Sequence, residues 1–65
     1  MKLEQRDAQT GEVLATTERL MDDNGDEYIL ATVTETGEQR TFEIDLLSPA
    51  VAQYRAFEWL DDTIG

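Results

Sequence analysis

The sequence contains neither cysteine nor histidine. Without cysteine there is no disulfide framework and no thiolate metal site, and the redox compartment stays open. Without histidine, the commonest general base and the commonest transition-metal ligand are both missing. Zinc chemistry and the usual nucleophile–base pairs are therefore excluded, and nothing in the sequence predicts a cofactor.

Long apolar runs are also missing. The N-terminal stretch MKLEQRDAQ carries one Lys and one Arg but no apolar segment behind them, so we expect no secretory signal. No window of the sequence approaches a membrane span. These features predict a cytoplasmic protein.

Basic residues are scarce, with five Lys and Arg against fifteen Asp and Glu and a formal net charge of -10. This charge disfavours direct binding to nucleic acid or to an anionic membrane, and it favours a cationic partner. High net charge is also typical of disorder, but 40% of the residues are hydrophobic and they are placed periodically, which predicts folding. A chain of 65 residues forms one domain, residues 1–65.

Turn signals at Gly11, Gly25 and Gly37 recur at the spacing of a meander of short strands. We predict an α+β fold: an antiparallel β-meander of three or four strands with one C-terminal α-helix packed on one face. The predicted strands cover about 2–7, 12–21, 28–35 and 40–46, and the predicted helix covers about 49–62.

The two later hairpins predict strand registers. The Asn24-Gly25 pair is typical of a two-residue type I′ turn, in which both residues have positive φ. That turn would set Leu20 beside Ile29 but Glu18 beside Ala31, so a bulge or a longer loop is the alternative. A tight turn at Gly37-Glu38 pairs Val33 with Phe42, Ala31 with Ile44, Ile29 with Leu46, and Glu35 with Arg40.

The C-terminal segment has a helix start signal, Ser48 as N-cap and Pro49 at the first helical position. One stripe of the helix is predicted to cover the sheet, and it comprises Ala50, Tyr54, Phe57, Leu60 and Ile64. Nearly opposite, Val51, Arg55 and Trp59 recur at helical spacing. Trp59 has two interpretations: it anchors a partner, or its ring wraps around the helix edge and closes the core.

The stretch MDDNGDEY gathers acidic side chains around one turn. A calcium-binding EF-hand loop aligned on Gly25 would need ligands where Leu20 and Ala31 stand, so the motif fails. A weak surface site for a divalent ion is the remaining metal interpretation, and we predict no metal site. The turn explains Asn24 and Gly25, but it leaves the acidic neighbours without a backbone role.

Catalysis by paired carboxylates requires an apolar cleft that raises one pKa. Glu43 and Asp45 alternate with predicted core residues and so point outward, and Ser48, the only serine, is used as a helix cap. We therefore predict that the protein is not an enzyme.

The acidic residues instead predict a charged surface. Outward side chains on a strand recur about every 6.6–6.8 Å, which is close to two base-pair steps of a nucleic acid. A sheet can thus present carboxylates at phosphate-like intervals. The predicted partner-binding acids are Asp22, Asp23, Asp26 and Glu27 at a hairpin tip and Glu43 and Asp45 on a strand, with Trp59 as a further candidate contact.

In size, charge and sheet-plus-helix shape the chain resembles the small, acidic, phage-encoded inhibitors that mimic DNA, which include several anti-CRISPR proteins. The resemblance implies an inhibitor that occupies the basic surface of a nucleic-acid-binding protein, such as a CRISPR effector or another defence protein. If the gene is phage-encoded, the protein would act in the host cytoplasm.

Two other interpretations account for the acidity. Halophilic adaptation raises Asp and Glu and suppresses Lys, and the sequence has a single Lys against four Arg. Under that interpretation, acids are spread over every surface. The second interpretation is a small acidic interaction domain that docks through Trp59 on its helix or through a sheet edge.

Overall fold

The computed structural model describes residues 2–64; residues 1 and 65, which the single-domain prediction includes, lie outside the described part. A four-stranded antiparallel sheet has the order β1-β2-β3-β4, and one C-terminal helix packs on it. This confirms the predicted fold class. The elements are β1 (Lys2–Arg6), β2 (Val13–Met21), β3 (Glu27–Val33), β4 (Gln39–Glu43) and α1 (Pro49–Ile64).

The β2–β3 hairpin closes through a three-residue loop, not the predicted type I′ turn. The Asp22 N–H donates to the Asp26 carbonyl at 2.9 Å, and the Gly25 N–H donates to the Asp22 carbonyl at 3.1 Å. Gly25 has a φ of 85°, while no described non-glycine residue has a positive φ, so Asn24 does not adopt the conformation that type I′ requires. The longer-loop alternative is correct.

The extra loop residue decides which side chains face the helix. Leu20 pairs with Tyr28 and Arg19 with Ile29, one residue away from the two-residue-loop alignment. A slip of one residue moves every side chain to the opposite face of a sheet. Thr17, which is buried, therefore stands beside Ala31 in place of Glu18.

The predicted register of β3 and β4 is wrong by four residues. Phe42 pairs with Ile29, and Arg40 with Ala31. The pairing of β3 with β4 starts further from Gly37 than the predicted tight turn requires, because the loop begins after Val33 and ends before Glu38. The Val33 N–H donates to the Glu38 carbonyl at 2.8 Å. Gly37 supplies the positive φ of 75° that this loop needs. The predicted pairs Val33–Phe42, Ala31–Ile44, Ile29–Leu46 and Glu35–Arg40 do not form.

Strand β4 ends at Glu43, before the predicted limit. Asp45 turns the chain toward the helix: its Oδ1 accepts the Leu47 N–H at 2.9 Å, and its carbonyl accepts the Ser48 N–H at 3.0 Å. Leu46 consequently lies outside the sheet and is 80% exposed.

Helix α1 starts at Pro49 directly after Ser48, as predicted, and continues to Ile64. Its buried residues are Ala52, Ala56 and Leu60. The predicted stripe is therefore wrong except at Leu60 and the half-buried Phe57, and Tyr54 is 69% exposed.

Alanine side chains explain this orientation of the helix. Ala15 and Ala31 on the sheet and Ala52 and Ala56 on the helix belong to one buried cluster, which we name the alanine seam. Small side chains let a helix approach a sheet closely, and larger residues then pack at the flanks. Ile29, Val33 and Leu60 complete the buried core.

The uncovered face of the sheet carries the alternate set of side chains. Leu20, Tyr28 and Leu30 are half-buried there and are interleaved with Thr16, Glu18 and Thr32. No helix within residues 2–64 has the length and apolarity that crossing a membrane would require.

Candidate partner-binding surface

All six predicted partner-binding acids lie at one end of the sheet, where β2 ends, β3 begins and β4 ends. The pairs Met21–Glu27 and Tyr28–Glu43 place the hairpin tip beside the last residue of β4. We name this region the acidic end; it comprises Asp22, Asp23, Asp26, Glu27, Glu43 and Asp45. Its members have different local roles.

Asp22 organises the hairpin loop. Its Oδ1 accepts the backbone N–H groups of Asn24 and Asp26, each at 2.9 Å. A carboxylate that accepts backbone donors in this way fixes a turn. The interpretation that none of these acids has a backbone role is therefore wrong for Asp22. Asp45 has a similar role in the β4–α1 connection. The prediction that Asp45 lies on a strand is wrong, because β4 ends at Glu43.

Glu27 is half-buried and forms an ion pair with Arg19, 2.5 Å away on the neighbouring strand. The hydrogen bond to Glu27, together with its negative charge, raises the pKa of the Arg19 guanidinium. The negative charge of Glu27 is therefore compensated within the protein.

Asp23, Asp26 and Glu43 are exposed, and within residues 2–64 their carboxylates have neither an ion pair nor a side-chain hydrogen bond. A partner can pair with these three carboxylates without breaking an internal contact. We name them the free acids.

An open depression of about 760 Å³ lies at the acidic end. Met21, Tyr28, Ile44 and Leu46 provide its apolar lining, and the carboxylates of Asp22, Asp26, Glu27 and Glu43 are among its polar residues. Sequence reasoning missed Met21 and Leu46, because both were assigned to strands and Leu46 to the core. The turn signals that flank Leu46-Leu47, Asp45 before and Ser48-Pro49 after, could have shown that these leucines leave the sheet.

Negative charge is not confined to the acidic end. Arg55 shares a second groove with Glu43 and Asp45, so a base lies at the edge of this region. Glu4, on β1, forms an ion pair with Arg6 at 2.7 Å. Other acids occupy the β3–β4 loop and the helix end, and they are Glu35, Glu38, Asp61 and Asp62.

Trp59 lies between helix and sheet. It is half-buried, and its ring centroid is 6.3 Å from that of Phe42 at an interplanar angle of 57°. This is the placement expected of a ring that closes the core; contact of Trp59 with a partner stays a prediction. The guanidinium of Arg40 lies 5.3 Å from the Phe42 ring centre.

Among residues 2–64, no group of three or more acidic side chains is arranged to hold a metal ion. Comparison with protein-family models, with curated proteins and with solved structures gives no significant match to this chain.

Proposed function

We propose that the protein is a non-enzymatic inhibitor that presents carboxylates in place of nucleic acid phosphates. It occupies the basic groove of a nucleic-acid-binding protein, such as a CRISPR effector complex or another defence protein, in the cytoplasm of the host cell. The free acids carry the proposal, since they are exposed, form no ion pair within residues 2–64 and lie at one end of the sheet.

The fixed backbone beneath these charges supports the proposal. Glu43 ends a paired strand, Asp23 lies in the three-residue loop, and Asp26 closes that loop by pairing with Asp22. Because the backbone that carries these charges is fixed, a partner that binds them costs less backbone freedom. The Lys and Arg of a nucleic acid groove are already arranged to match a polyanion, so they supply the complementary charges.

The net charge of -10 supports the same choice of partner. It repels nucleic acid itself and speeds encounter with a basic surface. Exposed charges are screened by salt, so binding should weaken strongly as ionic strength rises.

The test compares two variants with equal loss of charge. One neutralises the free acids with Asp23→Asn, Asp26→Asn and Glu43→Gln. The matched control neutralises three exposed acids elsewhere, with Glu12→Gln, Glu35→Gln and Glu38→Gln. Each protein is used to capture partners from a bacterial lysate at low and at high salt, and captured proteins are then challenged with duplex DNA.

We expect wild type and control to capture a nucleic-acid-binding protein at low salt, duplex DNA to release it, and the free-acid variant to lose most of this capture. Recovery of no nucleic-acid-binding protein at low salt would contradict the proposal. Equal capture by both variants would show that overall acidity, and not the acidic end, is responsible.

A small interaction domain that docks through a sheet edge is the second candidate, because β4 is an edge strand. The Ile44 N–H donates to the Glu27 carbonyl, and the Val33 N–H donates to the Glu38 carbonyl. Because inward and outward backbone groups alternate along an antiparallel strand, the Thr41 N–H points away from β3. Thr41→Pro removes that outward donor without removing a ladder bond. Loss of binding in Thr41→Pro, with binding kept in the free-acid variant, would favour this candidate.

A further inference from the structure

The depression at the acidic end combines exposed apolar side chains with negative charge. Met21 is 63% exposed and Leu46 is 80% exposed, although both are large apolar residues. Asp26 and Glu43 lie in the same lining. Two large apolar side chains therefore stand in water beside the acids, where an apolar group of a partner can cover them.

Charge determines what can cover this depression. A second copy of the chain would bring another acidic end, with its free acids, against the first, and the net charge of -10 opposes that contact. A segment rich in Arg or Lys removes this repulsion. An apolar side chain within that segment would also take Met21 and Leu46 out of water.

We propose that the depression is a docking site for a basic peptide segment of the partner, one with an apolar side chain flanked by Arg or Lys. The apolar side chain contacts Met21 and Leu46, while the flanking cations pair with Asp26 and Glu43. The volume of about 760 Å³ is in the range of pockets that receive small ligands or a few side chains.

This inference rests on the proposed function, and it adds a component of binding that salt does not screen. Polyanion mimicry alone predicts equal affinity for all segments of equal positive charge. A docking site predicts that one apolar side chain in the segment raises the affinity.

Two synthetic peptides of equal length and charge distinguish these cases. Each is a run of Arg with one central variable residue, which is Leu in the first peptide and Ser in the second. Affinity is measured by fluorescence anisotropy at about 0.15 M salt. Burial of one Leu side chain predicts that the wild-type protein binds the Leu peptide about tenfold more tightly than the Ser peptide.

Variants locate the effect. Met21→Gln and Leu46→Gln should each reduce the preference for Leu, and together they should abolish it. Tyr54→Gln removes a side chain that is 69% exposed on the helix, outside the depression, and should leave the preference unchanged. Circular dichroism melts of all variants check that the fold is retained.

Equal affinity of the wild-type protein for the two peptides would overturn the docking site, and so would a preference for Leu that survives both Gln substitutions. Neither result contradicts the proposed function, because failure of the proposed function would give different results. In that case the free-acid variant binds the Ser peptide as well as wild type does, and no nucleic-acid-binding protein is captured.

Discussion

The ring of Trp59 on the helix packs against the ring of Phe42 on β4, with centroids 6.3 Å apart and planes tilted by 57°. Tilted aromatic pairs at this distance attract through their quadrupoles in addition to the apolar area that they bury. The pair joins the helix to an edge strand of only five residues. It therefore stabilises the part of the sheet next to the acidic end.

A double-mutant cycle should detect this coupling. Phe42→Leu, Trp59→Leu and the double variant should give an interaction free energy of about 0.5–1.5 kcal/mol in urea unfolding. Additive effects of the two substitutions would show that the rings do not interact.

The register of β3 and β4 makes a separate prediction. Phe42 lies opposite Ile29, so its ring should show nuclear Overhauser effects to Ile29 and none to Val33.

The turn at the acidic end should respond unequally to two neighbouring substitutions. Gly25 has a φ of 85° with no heavy atom within 4 Å of an added Cβ, so Gly25→Ala costs backbone strain alone. We expect a loss of about 1 kcal/mol in the free energy of unfolding. Asn24→Ala should cost less, because Asn24 does not have a positive φ. An equal loss for both would point to the type I′ turn instead.

Two adjacent acids should differ in the same experiment. Asp22→Ala removes a carboxylate that accepts two backbone N–H groups, and it should cost about 1 kcal/mol. Asp23→Ala removes a free acid and should leave stability unchanged, or raise it at low salt by relieving repulsion. Chemical unfolding at low and high salt measures both effects. Similar destabilisation by the two substitutions would contradict the distinction between structural and free acids.

The alanine seam should tolerate no enlargement. Ala56 is fully buried, and Ala56→Leu would force the helix away from the sheet at a cost of about 1–3 kcal/mol. Ala50→Leu is the matched control on the exposed side of the same helix and should be nearly neutral. Thermal melts of the two variants test this prediction. Equal stability of both variants would show that Ala56 does not face the sheet.

Asp7 gives the fold a pH dependence. Its Oδ1 accepts the N–H groups of Gln9 at 2.7 Å and Thr10 at 3.1 Å, and these hydrogen bonds lower the pKa of the carboxyl. A pKa that is lower in the folded state contributes stability at neutral pH, and the contribution is lost as the pH falls below about 4. Asp7→Asn should therefore lower Tm at neutral pH, and the difference from wild type should shrink in acid. A pH-independent difference would exclude the charge of Asp7 as the cause.

The sequence was sufficient for the element order because each signal was local. Gly11, Gly25 and Gly37 mark the three loops, and each has a positive φ in the structure. Ser48-Pro49 set the helix start to the residue. Such signals depend on backbone conformations that few residue types adopt, so they can be identified without knowledge of the tertiary structure.

Register could not be predicted in the same way. Residue types in the β2–β3 loop are compatible with a loop of two or three residues, and the choice reverses the faces of Leu20 and Arg19. In the helix, Ala52 and Ala56 carry little hydrophobic signal compared with Tyr54, although they form the interface. Their role becomes visible only in the folded structure, where both are buried in one cluster with Ala15 and Ala31 of the sheet.

The sequence pointed to the acidic residues of the candidate site but not to its apolar residues. Clustering of Asp and Glu in the sequence identified the hairpin tip, and the sheet pairing adds Glu43 to it. The sequence did not reveal that Asp22 and Glu27 already have internal partners. It also placed Leu46 in the core, because alternation continues past the point where Asp45 turns the chain.

Alanine methyl groups lie between the two layers of this protein, so substitution there can enlarge the side chains but scarcely reduce them. Variation compatible with the fold is then concentrated on the outward surfaces, where side chains can be exchanged without moving the backbone. Side chains at the acidic end can thus be exchanged while the frame beneath them stays constant.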